Sequence, residues 1–507
     1  MREFETPLRN IRAGLRAEGK SRNTDFLSDC MCVKPGKFRL EGYTPDITPF
    51  PSVTVSGVAL DLTIDWPFPM IYQTDSGLYI GAKSGVYMIL TMGASTWTAA
   101  KLGTWSGTIT WPWTLANCPM FPVFGSGDLL VYYDYAVTAW KSWDKAVGSD
   151  NGSKWDVTWS QPVAVCFNNG QVMTGGAKLA TTAPSDSRLV RWSQIGSFDF
   201  LGESADARFN TAGFYYLPTD DDDVVLAILP LEKNFIVYST YGIFAFTPVD
   251  TPATTFGVKQ IYNTGISCVG AAAWNGKELD SENICVDRNG DLVHIGLKSE
   301  AFTRTLEVKN LGFSEFLLPM LDDKKLHITF NPHVKDGEWY ISDGVSSYLY
   351  NGLGLGATNK CITSIISYHN AKTTNASDIV RVTDSPIGFY RDTGRTEMLL
   401  VTDTLDFGIR GIKTIQSVEV GYDADRDVSC AVAVDFRYDK SSPYRRSAWK
   451  RVNKEGIVVP MVSGVDLRIV VRAIPCDVDV DYVNIRWKLP DKRNIRGVYS
   501  SVSASNQ

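Results

Sequence analysis

Short apolar or alternating runs, broken by Gly, Asn, Asp and Pro, fill most of the chain, and this spacing predicts strands rather than helices. Met70–Leu90 (MIYQTDSGLYIGAKSGVYMIL) sets the pattern, with two Ser-Gly turns between runs of Tyr, Ile and Val. Met120–Trp140 hinges at Gly125–Asp128, Val163–Gly176 at an Asn-Gly, and Asn234–Phe246 near Thr240–Gly242. Glu282–Gly296 turns at Asn289-Gly290, and His327–Gly352 at Asp336-Gly337 and Asp343-Gly344. Asn-Gly and Asp-Gly suit such turns because both tolerate the positive φ that a tight hairpin requires. The hairpins recur at intervals of roughly 40 to 70 residues, which fits four-stranded propeller blades with insertions. An all-β chain with a β-propeller of about six blades is expected.

The tail has a different pattern. Thr414–Tyr422, Ser429–Tyr438, Val465–Ala473 and Val478–Lys488 alternate strictly, placing apolar side chains on one face and charges on the other. They predict a separate antiparallel sandwich or sheet. Helical spacing is confined to two places: Pro7–Glu18, where Leu8, Ile11 and Leu15 recur at three and four, and Leu311–Leu321. The expected organisation is an N-terminal arm with a short helix and wrapping strands over 1–64, a propeller over 65–370, and a C-terminal β-domain and tail over 371–507.

Composition narrows the class. With 507 residues, 44% hydrophobic and 21% charged, the chain can bury a large core without disulfides or metal. A net charge of −6 argues against general attachment to nucleic acid or anionic lipid. The balance is uneven: residues 401–507 carry 17 Lys/Arg against 14 Asp/Glu, leaving −9 for the first 400. Nine scattered cysteines without a C-x-x-C pair point to buried thiols in a reduced, cytosolically made protein. The charged N-terminus lacks a signal-peptide core, and no apolar run is long enough to span a membrane, so a soluble protein is expected.

Candidate chemistry is sparse. The run Asp220, Asp221, Asp222 and Asp223 could bind a cation or line a channel, although a hydrated loop suits adjacent like charges better. Asp287-Arg-Asn-Gly-Asp291 begins like a calcium loop, but Leu292 and Lys298 stand where the bend and the bidentate ligand belong, which favours a hairpin turn. GLGLGA at Gly352–Ala357 matches a dinucleotide pattern but precedes a β-rich run instead of a helix. The four histidines form no metal pattern, and no nucleophile elbow or P-loop occurs. No enzyme activity, cofactor or metal is expected. Trp111, Trp113 and Trp140 are candidates for an aromatic sugar-binding surface, against an ordinary role in a β-core. Arg445, Arg446, Lys450 and Arg451 around Trp449 could contact nucleic acid, or blunt a strand edge or form an interface.

Three segments carry a family resemblance. RLVRWSQIGSFDFLG (Arg188–Gly202) resembles the "R-v-x-W-S-x-x-G-d" segment of tail β-propeller proteins of short-tailed bacteriophages. NFIVYSTYGIFAF resembles a hairpin of the same proteins, and Arg446–Trp487 is similar to the closing sandwich strands of the tail hub, or nozzle, of the P22-like family. The similarity spans residues 160–490, and Lys454-Glu455-Gly456 departs from it where a more basic run is common. The resemblance implies a virion structural protein located in the tail. It would form a homohexameric ring below the portal-adaptor connector, support spikes or fibres and a plug or needle, and let double-stranded DNA pass without sequence-specific binding. The alternatives are a carbohydrate- or receptor-binding propeller and a propeller hydrolase.

Overall fold

The computed structural model describes residues 3–8, 14–15, 27–37, 39–42, 45–49, 52–62, 66–93, 95–135, 138–143, 161–177, 187–200, 211–249, 255–278, 280–300, 303–321, 325–331, 337–358, 360–368, 378–383, 388–392, 397–409, 411–424, 428–474 and 478–489. Contacts divide the chain into two units. One comprises Ile47–Ser346 and Cys361–Tyr390; the other gathers Met1–Asp46, Ser347–Lys360 and Arg391–Gln507.

The first unit is a succession of antiparallel meanders. Sheet one runs Met70–Thr74, Gly77–Ala82, Gly85–Met92 and Thr96–Lys101, and is extended by Ser52–Val55, in parallel, and Val58–Ala59. Sheet two contains Thr114–Ala116, Val123–Gly125, Leu130–Asp134 and Ala139–Trp143. Sheet three follows with Pro162–Asn168, Gln171–Ala177, Leu189–Trp192 and Gly213–Tyr216. Sheet four has Val225–Leu231, Asn234–Ser239, Ile243–Val249 and Thr255–Tyr262. Sheet five has Ala272–Trp274, Glu282–Val286, Leu292–Glu300 and Thr303–Gly312. A sixth starts with the hairpin His327–Asn331 and Glu338–Ser342.

From the second sheet to the sixth, each leading strand lies against the leading strand of the next sheet, the arrangement of a β-propeller. The core sits between neighbouring sheets, because alternation sends every second side chain towards an adjoining blade. Phe68, Met70, Tyr79, Trp113, Phe124 and Val131 fill the space between sheets one and two. Ala164, Met173, Ile228, Phe235, Phe244 and Phe246 do so between sheets three and four.

Closure falls to Ile362–Tyr368, which pairs with Asp378–Thr383 and lies between the leading strands of sheets six and one. Thr363 Oγ1 donates to the Pro69 carbonyl (3.2 Å), and the Ile71 amide donates to Ser364 Oγ (2.8 Å). On the other side His327 Nε2 meets the Thr363 carbonyl at 2.8 Å. The last strands of the unit are thereby tied to its first sheet, as a closed ring of blades requires.

The second unit contains two antiparallel sheets. In one, Asp479–Lys488 is central: Lys413–Asp423 flanks one edge, and Glu3–Leu8 and Leu40–Gly42 share the other. The other sheet orders Leu27–Met31, Met398–Thr402, Asp466–Ile474 and Ser429–Arg437. N-terminal strands are thus woven into both C-terminal sheets. Trp487 is stacked between Phe4 and Phe407, each ring centroid 4.5 Å away.

The helix expected over Pro7–Glu18 is corrected: Pro7 and Leu8 end a strand, and Gly14 and Leu15 form β-bridges with Leu355, while residues 9–13 and 16–18 lie outside the described residues. Pairing of Glu3–Leu8 with Asp479–Lys488 holds Pro7 and Leu8 in a strand, and there overrides the weak helical spacing. The other helical segment does contain a helix, Ser314–Leu317, continued by a 3-10 turn over Leu318–Leu321. The eight described cysteines are free thiols, seven of them buried; burial pushes Cys30 and Cys430 up to about 12. Cys476 lies outside the described residues.

The charge asymmetry sharpens when counted by unit. The propeller unit has 21 Lys/Arg against 33 Asp/Glu, net −12, and the other unit has 29 against 23, net +6.

Candidate functional site

The aspartate run occupies the connection between the outer strand of sheet three and the leading strand of sheet four. Asp223 is fully buried, and its Oδ1 accepts from Thr240 Oγ1 (2.7 Å), the Val224 amide (2.9 Å) and the Tyr241 amide (3.2 Å). Its carbonyl accepts from Ser187 Oγ at 2.7 Å. Asp222 accepts from the Tyr241 hydroxyl (2.7 Å), which raises the pKa of that phenol, and Asp221 pairs with Arg188 at 2.6 Å. Asp220, Asp221 and Asp222 are exposed. The run therefore divides its labour: one carboxylate pins the connection to the Ser239–Gly242 turn, and the others face water.

This geometry sets an expected result. Asp223→Ala should reduce stability by about 2 kcal/mol, because the part-buried Thr240, Val224 and Tyr241 donors lose their acceptor. Asp220→Ala should change it by less than about 0.5 kcal/mol. Urea denaturation of the two variants separates these outcomes.

Asp287–Asp291 is a hairpin turn. Asp287 Oδ1 accepts from the Asn289 and Asp291 amides (2.8 and 2.9 Å), and Oδ2 accepts from the Tyr262 hydroxyl (3.2 Å). Burial raises the Asp287 pKa above the usual carboxylate range. Arg288 extends over the Tyr241 ring, 5.6 Å from its centroid, and donates to the Thr240 carbonyl, linking turns of sheets four and five. Leu355–Thr358 is a strand, so GLGLGA opens no helix. Among the described residues, no three His, Cys, Asp or Glu side chains converge as a metal site would require. No described helix is long and apolar enough to cross a membrane.

The three tryptophans separate. Trp113 is 2% exposed, its Nε1 donates to the Ala82 carbonyl (3.0 Å), and it packs between sheets one and two; it is core, which corrects its assignment to a surface. Trp111 is half-buried beside Gly127. Trp140 is half-buried in a ring cluster with Phe121 (5.6 Å) and Tyr133 (5.5 Å). Phe121 also stacks on Tyr133 at 4.0 Å, and exposed Tyr135 and Met120 border this cluster. Sequence reasoning missed Phe121, Tyr133 and Tyr135, which lie in the same hairpin as Trp140 and were readable as its neighbours only through cross-strand register. Trp155 and Trp159, in the same aromatic stretch, lie outside the described residues.

The basic segment forms the border of a sheet. Arg445–Arg446 and Lys450–Arg451 are two-residue strands on one edge of Ser429–Arg437. Arg446 grips Asp435 with Nε and Nη2 (2.7 and 2.9 Å). Trp449 lies between Arg446 (5.7 Å) and Arg472 (4.6 Å), and Tyr444 between Arg437 (4.5 Å) and Arg468 (4.3 Å). These cation–π contacts explain a feature the alternation pattern left out: Arg468 and Arg472 point to the polar face, yet aromatic rings cover them. Arg445, Lys450 and Arg451 remain exposed.

A further surface lies on the outer strand of sheet three. Phe214 and Tyr216 are 59% and 46% exposed, with Arg191 over the first ring and Arg188 over the second. Gly213–Tyr216 ends its sheet among the described residues, and Ile195 is exposed in the loop that precedes it.

No family model matches the chain, and no curated protein matches it. Among solved structures it is similar to the β-propeller domain of Cps50 (Swd1) from Myceliophteria thermophila, at 12% identity and a TM-score of 0.39, covering 69% of this chain and 100% of that one. It is also similar to Raptor from Chaetomium thermophilum (10% identity, TM-score 0.38, covering 69% of this chain and 30% of that one). The extracellular domain of a one component system from B. thetaiotaomicron is a third, at 11% identity and a TM-score of 0.40, covering 87% of this chain and 59% of the other.

Proposed function

We propose that the protein is a structural subunit of a phage tail nozzle, or hub, that assembles with copies of itself into a ring, a homohexamer, around the distal channel for genome exit. The observation that carries this reading is the set of blade rims that bear exposed apolar side chains. Phe214 and Tyr216 sit on a strand that, among the described residues, ends its sheet, and Met120 and Tyr135 border a second sheet. Unpaired strand edges with aromatic side chains invite association, and identical subunits meeting head to tail bury them in a closed ring. The propeller's net charge of −12 supports the conduit role, because an acidic wall repels a polyanion and lets it slide.

In this reading the portal-adaptor connector lies above the ring, and spike or fibre and plug or needle proteins attach to it. DNA passes through transiently. The Phe121, Tyr133, Tyr135 and Trp140 cluster favours a second reading, a sugar-binding propeller, since stacked rings suit pyranose faces.

Native mass spectrometry of the purified protein tests the first reading. A particle of about six times 56.1 kDa is expected. A species that stays monomeric at high concentration, together with glycan-array binding lost in Trp140→Ala, would select the second.

A further inference from the structure

The border formed by Arg445–Arg446 and Lys450–Arg451 extends into an apolar turn. Lys450 Nζ donates to the Val459 carbonyl at 2.8 Å, which holds residues 459–461 beside the exposed Lys450. Val459 and Met461 are both exposed, Met461 at 53%, and Met461 has φ 54. A left-handed backbone is strained for a residue that carries a side chain. Glycine would occupy this position without that strain. Folding of the isolated chain therefore gains nothing evident from methionine here, because its side chain is neither buried nor relaxed. The cost is offset once the side chain is buried in a contact, and methionine's flexible thioether adapts well to such surfaces.

Charge indicates what the contact meets. Met461 and its basic neighbours belong to the unit of net +6, whereas the propeller unit carries −12. We propose that Val459 and Met461, held beside Lys450 on the strand edge that also carries Arg445 and Arg451, form a docking knob that seats on the acidic propeller unit of a second copy of this chain. Such a contact is heterologous, joining different surfaces of two identical subunits, as ring closure needs. It names an interface for the ring assembly proposed above and rests on that reading. Nucleic acid fits the knob less well, since phosphates would pair with the cations but leave Val459 and Met461 exposed.

Sedimentation velocity on the full chain, at low and high salt, tests the proposal with two variants. Met461→Gly removes the side chain and relieves the backbone, so self-association should weaken about tenfold or more while Tm is not lowered. Arg445→Glu with Arg451→Glu should weaken association at low salt, and the difference from the unaltered protein should shrink at high salt as charges are screened. Rings unaffected by both variants would overturn this interface and leave the ring reading standing; an unaltered protein that never associates would overturn both. Duplex DNA binding lost in the double charge variant and kept in Met461→Gly would assign the patch to nucleic acid and also overturn the proposal.

Discussion

Trp113→Ala is expected to lower the unfolding free energy by about 4 kcal/mol, among the largest effects of any single change in the propeller. The indole is wedged between the first two sheets against Phe68, Met70, Tyr79 and Phe124. It fits because position 81 is glycine: a methyl group there would stand 2.7 Å from the indole ring. Its Nε1 donates to the Ala82 carbonyl and its own carbonyl accepts from the Tyr72 hydroxyl at 2.8 Å, so two strands of sheet one hold the residue that leads into sheet two. Truncation leaves a cavity at a junction the ring of blades must keep closed, along with a buried Ala82 carbonyl that loses its donor. Urea titration followed by tryptophan fluorescence measures the loss. Trp111→Ala, at a half-buried site, should cost less than half as much.

The second large effect is produced by acid. His327 is buried at the closure of the propeller, and burial lowers its pKa from 6.5 to about 4. Since Nε2 faces the Thr363 carbonyl, it carries the proton, and Nδ1 is left as a buried lone pair with no hydrogen-bond partner. The folded imidazole therefore stays neutral where the unfolded one gains a proton. The unfolded state binds more protons between pH 6.5 and 4, so stability falls as pH drops through that window and levels off below it. The loss from this one group is about 3 kcal/mol. His327→Gln keeps an amide donor for Thr363 and has no titrating ring. The difference in stability between the two proteins should therefore be steep from pH 6.5 to 4 and flat above pH 7. Parallel curves across that window would show that the imidazole is not held neutral at the seam.

The strands were legible because their turns announce themselves. Asn169-Gly170 joins Pro162–Asn168 to Gln171–Ala177, and Asn289-Gly290 lies in the turn between Glu282–Val286 and Leu292–Glu300. Both are places where local chemistry and long-range pairing agree. The strand Glu3–Leu8, which takes in Pro7 and Leu8, was not legible, since its partner lies some 480 residues away, at Val483–Lys488, and no local pattern encodes that distance. The hairpin that closes the propeller was hidden for the same reason. Ile362–Tyr368 reads as one more apolar run, and only its hydrogen bonds to Pro69, Ile71 and His327 reveal what it does.

Among the candidate sites, side-chain burial decided what the sequence could not. Asp223 and Asp222 are adjacent and chemically identical in sequence, yet one is enclosed by the Thr240 turn and the other faces water. Trp113 and Trp140 read alike, as surface platform or as core, until packing placed the first in the core. The cation–π stacking of Tyr444 and Trp449 combines residues from three separate strands and short segments, so composition could show only that the region is basic.

Cryo-electron microscopy of the purified protein tests most directly whether these blades belong to a conduit. Class averages showing a closed ring of identical subunits around an axial opening, with the outer strand of sheet three buried against a neighbouring copy, are the expected result. Solitary particles with that strand open to solvent at every concentration would contradict the account.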